Sequence, residues 1–184
     1  MVKISKKVLI SVLSAVVIAA LIFTAFASLY KRKVYWHERT ADYNISNWYN
    51  IERIALNIDR QGYTLEILEN WYPHINSVVS SCTSPLMPPI NGNGRAHSFM
   101  GTWYDPLVQT IISGKLSEDK QKEGIALFEE MNKEFLTVCS YITGEIPKEE
   151  LVVNNSEEYE QAEQKITEFC NKYAEKIHIF NNED

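Results

Sequence analysis

The sequence predicts an all-α protein, an N-terminal single transmembrane helix followed by an antiparallel helical bundle of about four main helices plus one short helix. Three observations lead there. Residues 8–29, VLISVLSAVVIAALIFTAFASL, hold no charge, Pro or Gly. Farther along, apolar residues return at three- and four-residue spacing in four stretches, the period of helices that bury one face. No strand-like alternation lasts more than a few residues. The expected organisation is a short basic tail at 1–7, a transmembrane helix at 8–30 and an α-helical domain at 31–184.

At about 1.5 Å per residue the apolar run reaches about 33 Å, against a hydrocarbon core of about 30 Å. A helix satisfies its own backbone groups, as any span in lipid must. Lys3, Lys6 and Lys7 precede it, and Lys31, Arg32 and Lys33 follow. Phe26, Tyr30, Tyr35 and Trp36 gather at the far end, where aromatic side chains suit the headgroup layer. A cleaved signal peptide is the rival reading, because Ala25-Phe26-Ala27 offers small residues for a cut before Ser28. The run is longer than a signal core of about 7–15 residues, and no helix breaker precedes the site, which favours the anchor. Basic residues are nearly balanced across the span. A seven-residue tail is easily left behind in the cytoplasm, so the expectation is tail inside and domain outside.

The formal charge of -6 conceals a division. Residues 1–33 hold six basic side chains and no acidic one, which leaves 12 basic against 24 acidic in the rest, a net of -12. A domain this acidic repels nucleic acid and favours basic partners or cations. Its length of about 150 residues suffices for a core without metal or disulfide staples.

Along the domain, Ala41, Ile45, Trp48, Ile51, Ala55 and Ile58 mark the first helical stripe, ended by Gly62. Leu65, Leu68, Tyr72, Ile75, Val79 and Cys82 mark the second, with Pro73 inside it. Proline removes a backbone bond and clashes with the preceding turn, so a kink or break is expected near Trp71 and Tyr72. Residues 83–101, TSPLMPPINGNGRAHSFMG, read as a long loop, and long loops tend to be functional or disordered. A short helix follows, with Asp105 as N-cap, Pro106 at its first position and Gly114 at its exit. Ser117 caps a long helix whose stripe is Phe128, Met131, Phe135, Val138 and Ile142, ending at Gly144. Residues 146–155 read as a linker. Ser156 then caps the last helix, with Tyr159, Ala162, Ile166, Phe169, Tyr173, Ile177 and Phe180 as its seam.

Little in this chain points to chemistry. Cys82, Cys139 and Cys170 sit on three expected helices without the close pairing a zinc site needs. They read as core thiols, with a disulfide between two of them as the alternative. The histidines are scattered, and Glu175 to His178 is a lone ExxH where a di-iron bundle needs two. No GxSxG elbow and no phosphate loop is present. No cofactor and no metal is expected. Three tryptophans precede a tyrosine, Trp48-Tyr49, Trp71-Tyr72 and Trp103-Tyr104, a pattern read first as packing and second as a stacking platform. The third pair adjoins the long loop, so Arg95, His97, Trp103, Tyr104 and Asp105 form the candidate cluster for a ligand or partner. The function expected is a non-enzymatic, single-pass membrane-anchored protein that acts as an interaction or structural component at the cell envelope, its acidic domain engaging another protein or the envelope. The alternatives are an extracytoplasmic sensor of a small molecule acting through a membrane partner, or a secreted helical protein if 1–27 is removed.

Overall fold

A computed structural model describes residues 6–82, 100–147 and 156–182. Helix accounts for 92% of them, and no strand occurs among the described residues. In chain order the elements are α1 (Lys6–Gln61), α2 (Leu65–Cys82), a π-helical turn (Met100–Tyr104), α3 (Asp105–Ile112), α4 (Glu118–Gly144) and α5 (Glu157–Asn182). The chain divides into two compact units, Met1–Thr40 and Ala41–Asp184.

The first unit is the N-terminal part of α1, and it holds a helical segment long and apolar enough to cross a membrane. Its side chains face outward on all sides: Val16 is 61% exposed, Phe23 75% and Phe26 72%. The Thr24 hydroxyl donates to the Ala20 carbonyl at 2.6 Å, so this polar group is satisfied within the helix.

In the second unit the apolar stripes turn inward. Ala41, Trp48, Ile51, Ala55 and Ile58 of α1 are buried, joined by Ile54. The helix stops where Gly62 adopts φ +93° and its N–H closes on the Ile58 carbonyl at 3.0 Å. This left-handed conformation carries a steric penalty for a residue with a Cβ. Leu68 and Ile75 of α2 are buried. Of the kink or break expected near Trp71 and Tyr72, the break does not occur: α2 is a single helix with Pro73 inside it. Pro73 lies on the exposed face, where water can solvate the carbonyl that loses its partner.

The expected N-cap at Asp105 is also corrected. Tyr104 has helical dihedrals (φ -66°, ψ -54°) and makes no side-chain cap. The π-helical turn feeds directly into α3, so upstream carbonyls already face the N–H groups that a cap would serve. Residues 83–99 of the expected loop lie outside the described residues, and Met100 and Gly101 are helical. Residues 148–155 of the expected linker also lie outside them, whereas Ile146 is buried.

Both long C-terminal helices start on serine. The Ser117 Oγ accepts from the Lys120 N–H at 3.3 Å, and the Ser156 Oγ from the Tyr159 N–H at 3.2 Å. Glu118 and Asp119, then Glu157 and Glu158, occupy the first turns, where the helix dipole favours acid. The α4 stripe and the whole α5 seam are buried. Within this unit α2 packs on α3, α3 on α4 and α4 on α5, while the π-helical turn meets α2 and α5. Aromatic rings run through the core: Tyr104 meets Phe128 at 4.9 Å, Phe135 meets Phe169 at 5.1 Å, and Phe169 meets Tyr173 at 4.9 Å.

Candidate functional site

The structure places the sequence-predicted cluster as follows. Arg95 and His97 lie outside the described residues, and the backbone of Trp103 lies in the π-helical turn. Tyr104 is fully buried, so its ring belongs to the core and not to an open binding face. Asp105 is half-buried at the start of α3. Its Oδ1 is shielded from solvent and finds no hydrogen-bond partner among the described residues. Burial raises its pKa above the ordinary carboxylate value, since a charge pays for lost hydration that no donor replaces.

Sequence reasoning missed the residue that organises this region. Asn132 is the one buried polar side chain of the core among the described residues. Its Oδ1 accepts from the Tyr104 hydroxyl at 2.7 Å. Its amide donates to the Ala55 carbonyl at 2.9 Å and to the Tyr63 oxygen at 3.0 Å. Tyr63 in turn donates to Asp59 Oδ1 at 2.8 Å. The direction of this relay is fixed by its outer end. A carboxylate accepts only, so Tyr63 must donate to Asp59 and accept from Asn132, and Tyr104 must supply the proton for Oδ1. Burial pushes both tyrosine hydroxyls well above their usual pKa. The relay ties α1, the α1–α2 turn, the π-helical turn and α4 together, with each polar group satisfied. A satisfied buried network specifies one arrangement of elements. The signal for Asn132 was its place in the α4 stripe, four residues after Phe128 and three before Phe135.

A second polar cluster crosses from α4 to α5. The Lys176 ammonium donates to both carboxylate oxygens of Glu130, at 2.6 and 2.9 Å, and Lys172 pairs with Glu134. The Tyr173 hydroxyl donates to Glu134 at 2.8 Å. The hydrogen bond from Lys176 holds Glu130 below the usual carboxylate range. Burial pushes Glu134 up, but the bonds from Lys172 and Tyr173 outweigh it, and its pKa is lowered. These acids are neutralised by their neighbours and do not form a free carboxylate pair for acid–base work. Beside them lies a shallow groove of about 320 Å³ lined by Ala126, Leu127, Ile179 and Phe180 and edged by Glu123, Glu130 and Lys176.

No disulfide joins Cys139 to Cys170, and Cys82 has no described side chain. Cys139 is fully buried, and burial followed by the nearby Glu52 charge raises its thiol pKa well above normal. That is the setting of an inert core thiol, not of a nucleophile. His74 packs against Trp71 at 5.1 Å, and His178 contacts Asn182. Among the described residues no three of His, Cys, Asp and Glu are grouped to hold a metal ion.

No family model, curated protein or solved structure matches the chain. The weight of any functional reading therefore falls on the chain's own surfaces. These are an exposed apolar helix with a basic collar, and an acidic helical unit whose polar clusters are internally satisfied.

Proposed function

We propose that the chain is a single-pass membrane protein whose acidic helical domain engages another protein at the cell envelope, with no catalysis of its own. The observation that carries this reading is the contrast in apolar exposure. The large apolar side chains of residues 12–29 are more than half exposed, whereas beyond Tyr35 the exposed large hydrophobics among the described residues are Tyr43, Tyr49 and Ile179. A chain that buries its stripes so fully elsewhere leaves this surface for lipid. The net charge of -12 over residues 34–184 favours a partner with a basic face. We place Lys3, Lys6 and Lys7, which precede the span, in the cytoplasm and the domain outside.

The test is fractionation followed by gentle solubilisation. The full chain stays in the membrane pellet through an alkaline carbonate wash, and a partner copurifies at low salt and is lost at high salt. Reporters fused at the two ends read the orientation. Recovery of a soluble chain beginning at Ser28 overturns the anchor. The alternative of a ligand sensor draws on the α4–α5 groove, and a small-molecule panel that raises the melting temperature of the full chain would favour it.

A further inference from the structure

The collar that follows the apolar segment has a chemistry of its own. Residues 30–41 hold Lys31, Arg32, Lys33 and Arg39 against a single acid, Glu38, whereas residues 42–184 hold 11 basic against 23 acidic side chains, a net of -12. All four basic side chains are exposed, and so are Tyr30 at 68% and Tyr35 at 49%. Lys31, Tyr35 and Arg39 follow at four-residue intervals and so share one helix face, which Arg32 widens. Arg39 reaches back one turn: its Nε donates to the Tyr35 hydroxyl at 2.9 Å, and its guanidinium lies 5.4 Å from the centre of the Tyr35 ring.

Position and direction decide what such a face can bind. At about 1.5 Å per residue, Lys31 to Lys33 lie about 3–6 Å beyond Leu29, within a headgroup layer of about 5–7 Å on each side of the hydrocarbon. Side chains of a helix lean toward its N-terminus. After the span that direction is toward the bilayer, as the Arg39 to Tyr35 contact illustrates. Before the span, at Lys6 and Lys7, it is away from the bilayer. The two basic clusters are therefore not equivalent, although their charges are nearly equal. Lysine and arginine near a bilayer surface attract anionic headgroups, an effect that salt screens.

We propose that Lys31, Arg32 and Lys33 form a binding collar for anionic phospholipid headgroups, with Tyr30 at its inner edge and Arg39, about 12 Å beyond Lys31 along the helix, reaching back toward it over Tyr35. The proposal rests on the membrane-anchor reading. It gives the collar a task that the domain's charge makes necessary, because an anionic bilayer repels a domain of net -12 and the collar holds the junction against that repulsion.

The experiment uses the full chain in phosphatidylcholine vesicles carrying a trace of spin-labelled phosphatidylglycerol or spin-labelled phosphatidylcholine. Lipid in contact with the chain gives a motionally restricted signal. The expected result is a severalfold larger restricted fraction for phosphatidylglycerol, reduced toward equality in 1 M salt. The preference collapses in a Lys31→Gln, Arg32→Gln, Lys33→Gln, Arg39→Gln variant and mostly survives in Lys6→Gln, Lys7→Gln. Equal restricted fractions in the unaltered chain, or a preference that persists in the collar variant, overturn the proposal while leaving the anchor standing. No restricted signal with either lipid, together with release of the chain by alkaline carbonate, overturns both.

Discussion

Tyr104 donates its hydroxyl hydrogen bond to Asn132 at 2.7 Å, and neither residue is reached by solvent. The pair is the inner end of a relay that emerges at Asp59 through Tyr63. Removing one partner of a buried bond leaves the other unpaired, at about 1–3 kcal/mol, whereas removing both is far milder. Asn132→Leu should therefore lower the melting temperature of the full chain in detergent by several degrees, and Tyr104→Phe by less. The double variant should fall short of the sum of the two losses. Strictly additive losses in that double-mutant cycle would show that the pair is not coupled.

Gly124 gives a test with a built-in control. It is buried in α4, and a Cβ there would lie 2.9 Å from Ile111 Cγ1 and 2.9 Å from Phe180 Cζ. Both neighbours are themselves buried, so each must shift to admit the added methyl group. Alanine ordinarily stabilises a helix interior by about 1 kcal/mol over glycine, but overpacking costs about 1–3 kcal/mol. Gly124→Ala should lower the melting temperature. At Gly144, where nothing lies within 4 Å of the added Cβ, the same change should be neutral or stabilising. A thermal melt of the two variants side by side checks this, and a stable Gly124→Ala would mean that α3 and α5 can separate.

Much of the helical core was legible because burial follows the helical period. The Phe128 to Ile142 stripe and the Tyr159 to Phe180 seam are buried as spaced, and Ser117 and Ser156 cap as expected. Local signals failed where a longer-range partner or a neighbouring element decided the outcome. Tyr104 reads as a binding residue until Asn132, 28 positions on, claims its hydroxyl. Asp105 has the composition of an N-cap, but the π-helical turn before it removes the vacancy that a cap fills. Pro73 is a helix breaker by its chemistry, yet it sits on a face that water reaches. The candidate cluster was legible only in part, since Arg95 and His97 lie outside the described residues.

The buried tyrosines make stability sensitive to alkali. Tyr63, Tyr104 and Tyr173 are raised above the ordinary value near 10 by burial first, and Tyr173 also by its bond to Glu134. A raised folded pKa means that the neutral form is favoured in the fold. Its contribution is fully present below about pH 10 and is lost as the pH rises past that value. Tyrosinate absorbance at 295 nm should therefore appear in two phases. The three shielded residues should ionise only in the later phase, together with loss of helical signal. A single phase that leaves the helical signal unchanged would contradict the burial of these hydroxyls.

The choice between anchor and cleaved leader can be put to the chain directly. A signal peptidase site needs small side chains, which Ala25 and Ala27 supply ahead of Ser28. If the leader is normally removed, Ala25→Leu with Ala27→Leu blocks the cut and the chain gains mass relative to the unaltered protein. If residues 8–29 are an anchor, both proteins keep residues 1–27, differ in mass only by the substituted side chains, and resist an alkaline wash. A second pair, Val16→Asp with Ala20→Asp, places two charges near the middle of the run. Each costs about 3 kcal/mol in a membrane helix, against a gain of about 0.3–0.6 kcal/mol for each Leu, Ile, Val or Phe. That penalty is enough to cancel most of the insertion energy of the apolar run. The expected outcome is loss of the chain from the membrane pellet with its N-terminus still intact, read by intact-mass measurement of the soluble and pellet fractions.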